Sequence, residues 1–158
     1  MIVLCFLSLT VFAQKANLIA ESFIKGFPKF WKSVEYDAAK KDYFVLEGPC
    51  ENPGFLSFKL GKGQKWEVAW SDSHVSADTA PITEIKQTSA GFEIKLNQFG
   101  EARTLILQWK DRKQKVISAE FPGHLHFIVA KYFVPEEDYS KVRRVNSKRL
   151  PDPKSGCD

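Results

Sequence analysis

The chain has none of the short motifs that mark common enzyme active sites. No Gly-x-Ser-x-Gly nucleophile elbow, no His-Glu-x-x-His zinc motif and no glycine-rich phosphate loop occurs among its 158 residues. Glu84 and Glu120 fall within predicted strands and are candidate paired carboxylates, but exposed strand positions routinely hold glutamate. The sequence therefore predicts neither an enzyme nor a bound cofactor.

A strong charge of one sign is also missing. Lys and Arg total 23 and Asp and Glu total 19, which gives a net charge of +4 and a pI of about 8.9. This balance permits weak attraction to anionic surfaces and gives no reason to expect a nucleic-acid partner. Hydrophobic residues make up 44% of the chain and aromatic residues 13%, so most of it is expected to fold.

Only one long apolar run is present, Ile2 to Phe12, and it is too short to span a bilayer. Its length is that of a secretory h-region, and Val11 and Ala13 supply small residues for cleavage. We therefore expect a signal peptide at residues 1–13, then a single β-rich domain, 14–158, that is secreted or periplasmic. No transmembrane segment is expected after cleavage. Since no Lys or Arg precedes the run, a start further upstream or a buried first element is the alternative.

Cysteine is scarce, and its placement predicts one disulfide. After cleavage only Cys50 and Cys157 remain, an even number in an oxidising compartment. A bond between them would fasten the C-terminal tail, residues 135–158, and is worth about 4 to 5 kcal/mol in the chain-entropy model. Two free thiols or a nucleophilic Cys50 are the alternatives, without a Cys-x-x-Cys pattern or a nearby His to support them.

The dominant pattern is alternation of apolar and polar residues in short segments separated by turn residues, from Asp42 to Val134. It predicts a mainly β fold of about eight antiparallel strands, at residues 43–47, 55–60, 66–70, 82–88, 92–98, 104–109, 115–121 and 124–134. Such a meander forms a barrel with room for side chains or one small ligand, or a two-sheet sandwich. The layout is similar to that of the calycins, the class of lipocalins and fatty-acid-binding proteins. The likeness is one of layout only, because the Gly-x-Trp signature is absent and the helix comes first.

Helical spacing occurs at both ends of this region. Apolar residues from Leu18 to Phe27 recur every three or four positions and predict an N-terminal amphipathic helix. Phe30 and Trp31 follow in a second short turn that we expect to cover one end of the core, a membrane-inserting helix being the alternative. Acidic residues followed by basic ones predict a short C-terminal helix from Glu136 to about Val145. A basic patch for an anionic partner is the other interpretation.

The inward positions of the predicted strands form the candidate ligand site. The predicted lining residues are Trp66, Val68, Trp70, Phe92, Ile94, Leu105, Leu107 and Trp109. An apolar lining predicts a small hydrophobic or amphipathic ligand. If these side chains instead fill the interior, we expect an exported interaction protein with a protein partner, such as an inhibitor or an envelope-associated factor.

A metal site is a weaker candidate. His124 and His126 are two residues apart in a predicted strand, so their side chains share one face and can share a metal ion. A third ligand would come from His74 in the polar loop. The alternative is a pair of histidines that only stabilises the start of the strand.

Overall fold

The computed structural model describes residues 26–48, 51–71, 77–122 and 131–147. Those residues form ten strands and one short helix, in the order β1 (Phe30–Asp37), β2 (Asp42–Glu47), β3 (Phe55–Leu60), β4 (Trp66–Ser71), β5 (Asp78–Gln87), β6 (Gly91–Gln98), β7 (Glu101–Asp111), β8 (Val116–Glu120), β9 (Tyr132–Pro135), α1 (Glu136–Tyr139) and β10 (Arg143–Asn146). The prediction of a mainly β protein is confirmed.

Eight of these strands close into an antiparallel barrel. From β3 to β9 each strand pairs with the next, and β1 pairs with both β3 and β9. At this seam Trp31 lies opposite Leu56 on one side and Pro135 on the other. The structure is therefore the barrel and not the sandwich, and closure leaves no free edge in the ring.

The first strand of the barrel is not the one that the sequence predicted. β1 occupies residues for which we expected a short turn, and the expected turn is wrong because Phe30 and Trp31 begin a strand. The predicted first strand is β2, which lies outside the ring and pairs with the second half of β1. Trp31 is buried on one face of β1 and Val34 on the other, so this strand lacks the alternation of a half-buried strand. The predicted N-terminal helix lies outside the described residues.

Further boundaries differ from the predictions: β7 is longer than the predicted 104–109, Lys131 of the predicted 124–134 strand is not in a strand, and β5 and the C-terminal helix differ as follows. β5 begins at Asp78, four residues before the predicted strand at 82–88, so Pro81 lies inside a strand, opposite Glu67. The C-terminal helix stops at Tyr139, and the expectation that it continues to about Val145 is wrong. The basic residues that follow form β10, which pairs in parallel with β2.

The basic residues of β10 pair with carboxylates on distant strands. The Arg143 guanidinium donates to Asp42 at 3.1 Å and to Asp37 at 3.2 Å, and Arg144 donates to Glu47 at 2.9 Å. A helix over these residues would draw its charge pairs from its own neighbours three and four positions away. The partners of the two arginines instead lie on β1 and β2, far away in the sequence, so local charge order does not reveal them.

Two hairpins use the same aspartate turn. Asp37 accepts hydrogen bonds from the backbone N–H groups of the second and third residues after it, and Asp111 does the same. The fourth residue after each, Lys41 and Lys115, has a positive φ of 52° and 55°. An aspartate that satisfies the turn's N–H groups explains why each strand ends where it does.

The apolar residues form two separate cores. The larger lies inside the barrel. The smaller lies between the outer face of the barrel, β2 and the segment from α1 to Val142, and its buried members are Val34, Val45, Val116 and Val134. The outer core packs β2 against the barrel wall, and β10 is held by its pairing with β2. The interior is therefore set by the eight ring strands.

Candidate ligand-binding site

The eight residues predicted to line a ligand site all belong to the interior of the barrel. Val68, Trp70, Ile94, Leu105 and Leu107 are buried there. The other three predicted residues, Trp66, Phe92 and Trp109, are half-buried and pack against them. Alternation brings the eight together because residues two apart on a strand share a face. Their contact with a ligand stays a prediction.

One end of the interior is aromatic. Phe27, which precedes β1, inserts among four rings, with centroid distances of 4.8 Å to Trp31, 5.6 Å to Phe58, 5.6 Å to Phe92 and 6.0 Å to Trp109. We call these five residues the aromatic end. The Trp31 indole N–H donates to the Pro28 carbonyl at 2.8 Å, so its polar atom is satisfied. The aromatic end is therefore an apolar surface in which the buried indole N–H of Trp31 is already hydrogen-bonded.

The opposite end of the interior carries buried polar atoms. Trp70 and Gln98 are each 2% exposed, and neither Trp70 Nε1 nor Gln98 Oε1 has a hydrogen-bond partner among the described residues. Gln98 lies six residues beyond Phe92 on β6, about 20 Å along a strand. A buried donor or acceptor without a partner costs about 1 to 3 kcal/mol. We call this region, with Arg103 and Phe121, the polar end.

Pairing across the strands brings the polar end together. Gln98 lies opposite Glu101, and Arg103 lies opposite Leu96, so Gln98 and Arg103 are diagonal neighbours on the inner wall. The Arg103 guanidinium donates to Glu101 at 2.7 Å, and its side chain is only 13% exposed. Its positive charge is therefore balanced by a carboxylate at the rim of the barrel.

Sequence reasoning missed both polar residues and part of the aromatic end. Arg103 lies one inward step before the predicted lining of β7, and Gln98 lies two inward steps after that of β6, with buried Leu96 between. Extending the alternation past the last apolar residue would have found them. Phe27 carried no such signal, because its spacing fits a helix and only the tertiary structure places it inside the barrel.

A concavity lies outside the barrel, between the β7–β8 turn, the start of β2 and α1. Its volume is about 590 Å³, and basic side chains line much of it. Lys115 contacts Glu137 and Asp138, and Lys141 also contacts Asp138. With Arg143 paired to Asp42 and Asp37, carboxylates balance these cations. Charge alone gives this groove no preference for an anion.

Titration in and around the groove follows from these contacts. The Lys141 and Lys115 ammonium groups lower the pKa of Asp138. Burial raises the pKa of Tyr43, and the neighbouring Tyr132, Tyr36 and Asp111 raise it further. The ring of Tyr43 lies 5.1 Å from Tyr36 and 5.6 Å from Tyr132, so three tyrosines form one aromatic patch on the outer surface.

The metal and disulfide predictions fall where the structure describes nothing. His74, His124 and His126, and likewise Cys50 and Cys157, lie outside the described ranges. Within those ranges no group of three His, Cys, Asp or Glu side chains is arranged to hold a metal ion. Over the same ranges, no helix has both the length and the apolar character that a membrane span requires.

Searched against protein-family models, curated proteins and solved structures, the chain has no match. The features of the molecule that bear on its function are the interior of the barrel and its two unlike ends.

Proposed function

We propose that this protein is an exported carrier that binds one small apolar or amphipathic molecule inside its barrel. The supporting observation is the closed ring of eight strands around an apolar interior in which the Trp70 indole N–H and the Gln98 carbonyl oxygen have no hydrogen-bond partner among the described residues. Ligand sites are typically concave and apolar, with a few polar groups that fix orientation. Export rests on the signal-like run at the N-terminus.

A fluorescent naphthalene probe tests this proposal. We expect it to bind at about one per chain, to quench tryptophan fluorescence and to be displaced by lipid. Native mass spectrometry of the purified protein should also show a co-purified small molecule. A protein that neither binds the probe nor quenches would refute the carrier function.

Two substitutions of alanine by phenylalanine test whether the ligand binds inside the barrel. Ala119 faces the interior and is 2% exposed, whereas Ala102 is exposed on β7. If the interior accepts a ligand, Ala119→Phe fills part of that space and abolishes probe binding with little loss of stability. Ala102→Phe leaves binding unchanged. If side chains already fill the interior, the added ring costs about 1 to 3 kcal/mol of stability.

The second candidate is an interaction protein that binds a protein partner. Phe99 favours it, because this side chain is 90% exposed at the tip of the β6–β7 turn. An aromatic ring in such a position is a typical protein contact. Loss of stability in Ala119→Phe together with no probe binding would favour this function over the carrier.

A further inference from the structure

The polar end differs from the aromatic end in the hydrogen bonding of its buried tryptophan. Three indoles lie at or near the opposite end of the barrel, and the buried one among them, Trp31, has its N–H bonded to a carbonyl. Trp70 has the same N–H group buried with no hydrogen-bond partner in the part of the chain that the structure describes, and its ring lies 4.9 Å from that of Phe121. At the polar end the Trp70 ring is therefore well packed, but its N–H group lacks a hydrogen bond within the described structure.

Trp70 and Gln98 come from strands that flank the same neighbour. β4 and β6 both pair with β5, so their backbones lie about 9 to 10 Å apart. Ala80, fully buried in the interior cluster, belongs to the strand between them. The side chain of Ala80 is a single methyl group. The longer side chains of Trp70 and Gln98, each with a polar group, therefore lie on either side of a short one.

The two atoms have complementary hydrogen-bonding roles. The Trp70 indole N–H only donates, and the Gln98 carbonyl oxygen only accepts. A hydroxyl group accepts from the first and donates to the second. A carboxylate satisfies only the indole, and Arg103, which would attract it, is already paired with Glu101.

We propose that the barrel binds an amphipathic molecule with an uncharged hydroxyl head at Trp70 and Gln98 and its apolar tail toward the aromatic end. This inference rests on the proposed carrier function and adds the orientation and the chemical class of the ligand. The cost of the two unpaired atoms in the free protein is then recovered when the head group binds.

Three probes of equal chain length test the head group by displacement of the naphthalene probe: a fatty alcohol, its methyl ether and the fatty acid. The ether accepts a hydrogen bond but cannot donate one. We expect the alcohol to bind about fivefold to tenfold more tightly than the ether, the value of one hydrogen bond between neutral groups. We also expect the alcohol to bind more tightly than the acid at neutral pH.

Two variants separate the roles of the two residues. Gln98→Met removes the acceptor, so the alcohol loses its advantage over the ether while ether binding is unchanged. Trp70→Phe removes the donor and weakens the alcohol and the ether alike, by about fivefold. Trp109→Phe, at the aromatic end, is the matched control and leaves the preference for alcohol intact.

The free protein gives an independent readout. Gln98→Met removes an unpaired buried acceptor, so we expect the urea midpoint of the ligand-free protein to rise.

The outcomes distinguish two failures. If no probe binds, the carrier function fails. If the alcohol and ether bind equally in both the wild type and Gln98→Met, or if the acid binds most tightly, the carrier stands and the hydroxyl head is refuted.

Discussion

Trp31 and Pro135 are cross-strand partners at the seam where β1 meets β9 and closes the barrel. Trp31 is fully buried, and its ring contacts Phe27 at the aromatic end. Trp31 thus contributes both to the aromatic end and to the strand pairing that closes the barrel. We therefore expect its replacement to change both the stability of the protein and the shape of the interior.

We expect Trp31→Ala to lower the free energy of unfolding by about 3 to 5 kcal/mol, the usual cost of removing a large aromatic side chain from a core. Urea denaturation followed by circular dichroism measures this change. Tyr36→Ala, on the same strand but 41% exposed, is the control and should cost about 1 kcal/mol or less. Equal losses of unfolding free energy in the two variants would contradict the conclusion that Trp31 is a core residue of the barrel.

The β6–β7 turn should be stabilised by a single substitution. Phe99 and Gly100 have φ values of 52° and 86°, and positive φ at both central residues is the requirement of a type I′ turn. Asparagine tolerates this conformation better than phenylalanine, so Phe99→Asn should raise stability by about 1 kcal/mol.

In contrast to Phe99→Asn, the Gly100→Ala substitution should lower the stability of the protein. No atom lies within 4 Å of the position that its Cβ would take, so the backbone conformation alone sets the cost. We expect a loss of about 1 kcal/mol, measured by thermal unfolding. If Phe99→Asn also destabilised the protein, the ring of Phe99 would have to make a stabilising contact.

Asp138 should make stability depend on acid pH. Hydrogen bonds from Lys141 and Lys115 hold the pKa of Asp138 below its usual value in the folded protein. The folded state then binds fewer protons than the unfolded state, so this contribution is present above the usual aspartate pKa of about 4 and is lost as pH falls through the lowered value.

Asp138→Asn tests that pH dependence. We expect it to be less stable than the wild type at pH 7, by about 1 kcal/mol or less, and the difference to disappear in strong acid. Urea titrations across this pH range measure both quantities. A difference that is the same at every pH would show that packing, and not charge, accounts for the effect.

The predicted bond between Cys50 and Cys157 remains to be tested chemically. Peptide mapping without reductant should recover one linked pair of peptides containing these two residues. Reduction should then lower the thermal midpoint, since the unfolded chain regains freedom. Two thiols that react with an alkylating agent in the folded, air-exposed protein would refute the bond.

Alternation in the sequence was enough to predict β3, β4, β6 and the inward faces of the middle strands. Each of these strands buries one face, so its apolar residues recur every second position and mark that face directly. The eight predicted lining residues followed from this rule. Inward polar residues such as Gln98 occupy positions of the same series, but their side chains give no apolar signal that marks them as buried.

Only the tertiary structure decided how the ring closes and which polar atoms lack partners. β1 is buried on both faces, and the arginines of β10 find their carboxylates on distant strands, so neither leaves a local pattern. Composition, the signal-like run and the strand-forming segments are properties of neighbouring residues, and the sequence determines them by itself. The seam at Trp31 and Pro135, the insertion of Phe27 and the unpaired atoms of Trp70 and Gln98 depend on contacts between distant residues, which exist only once the barrel has closed.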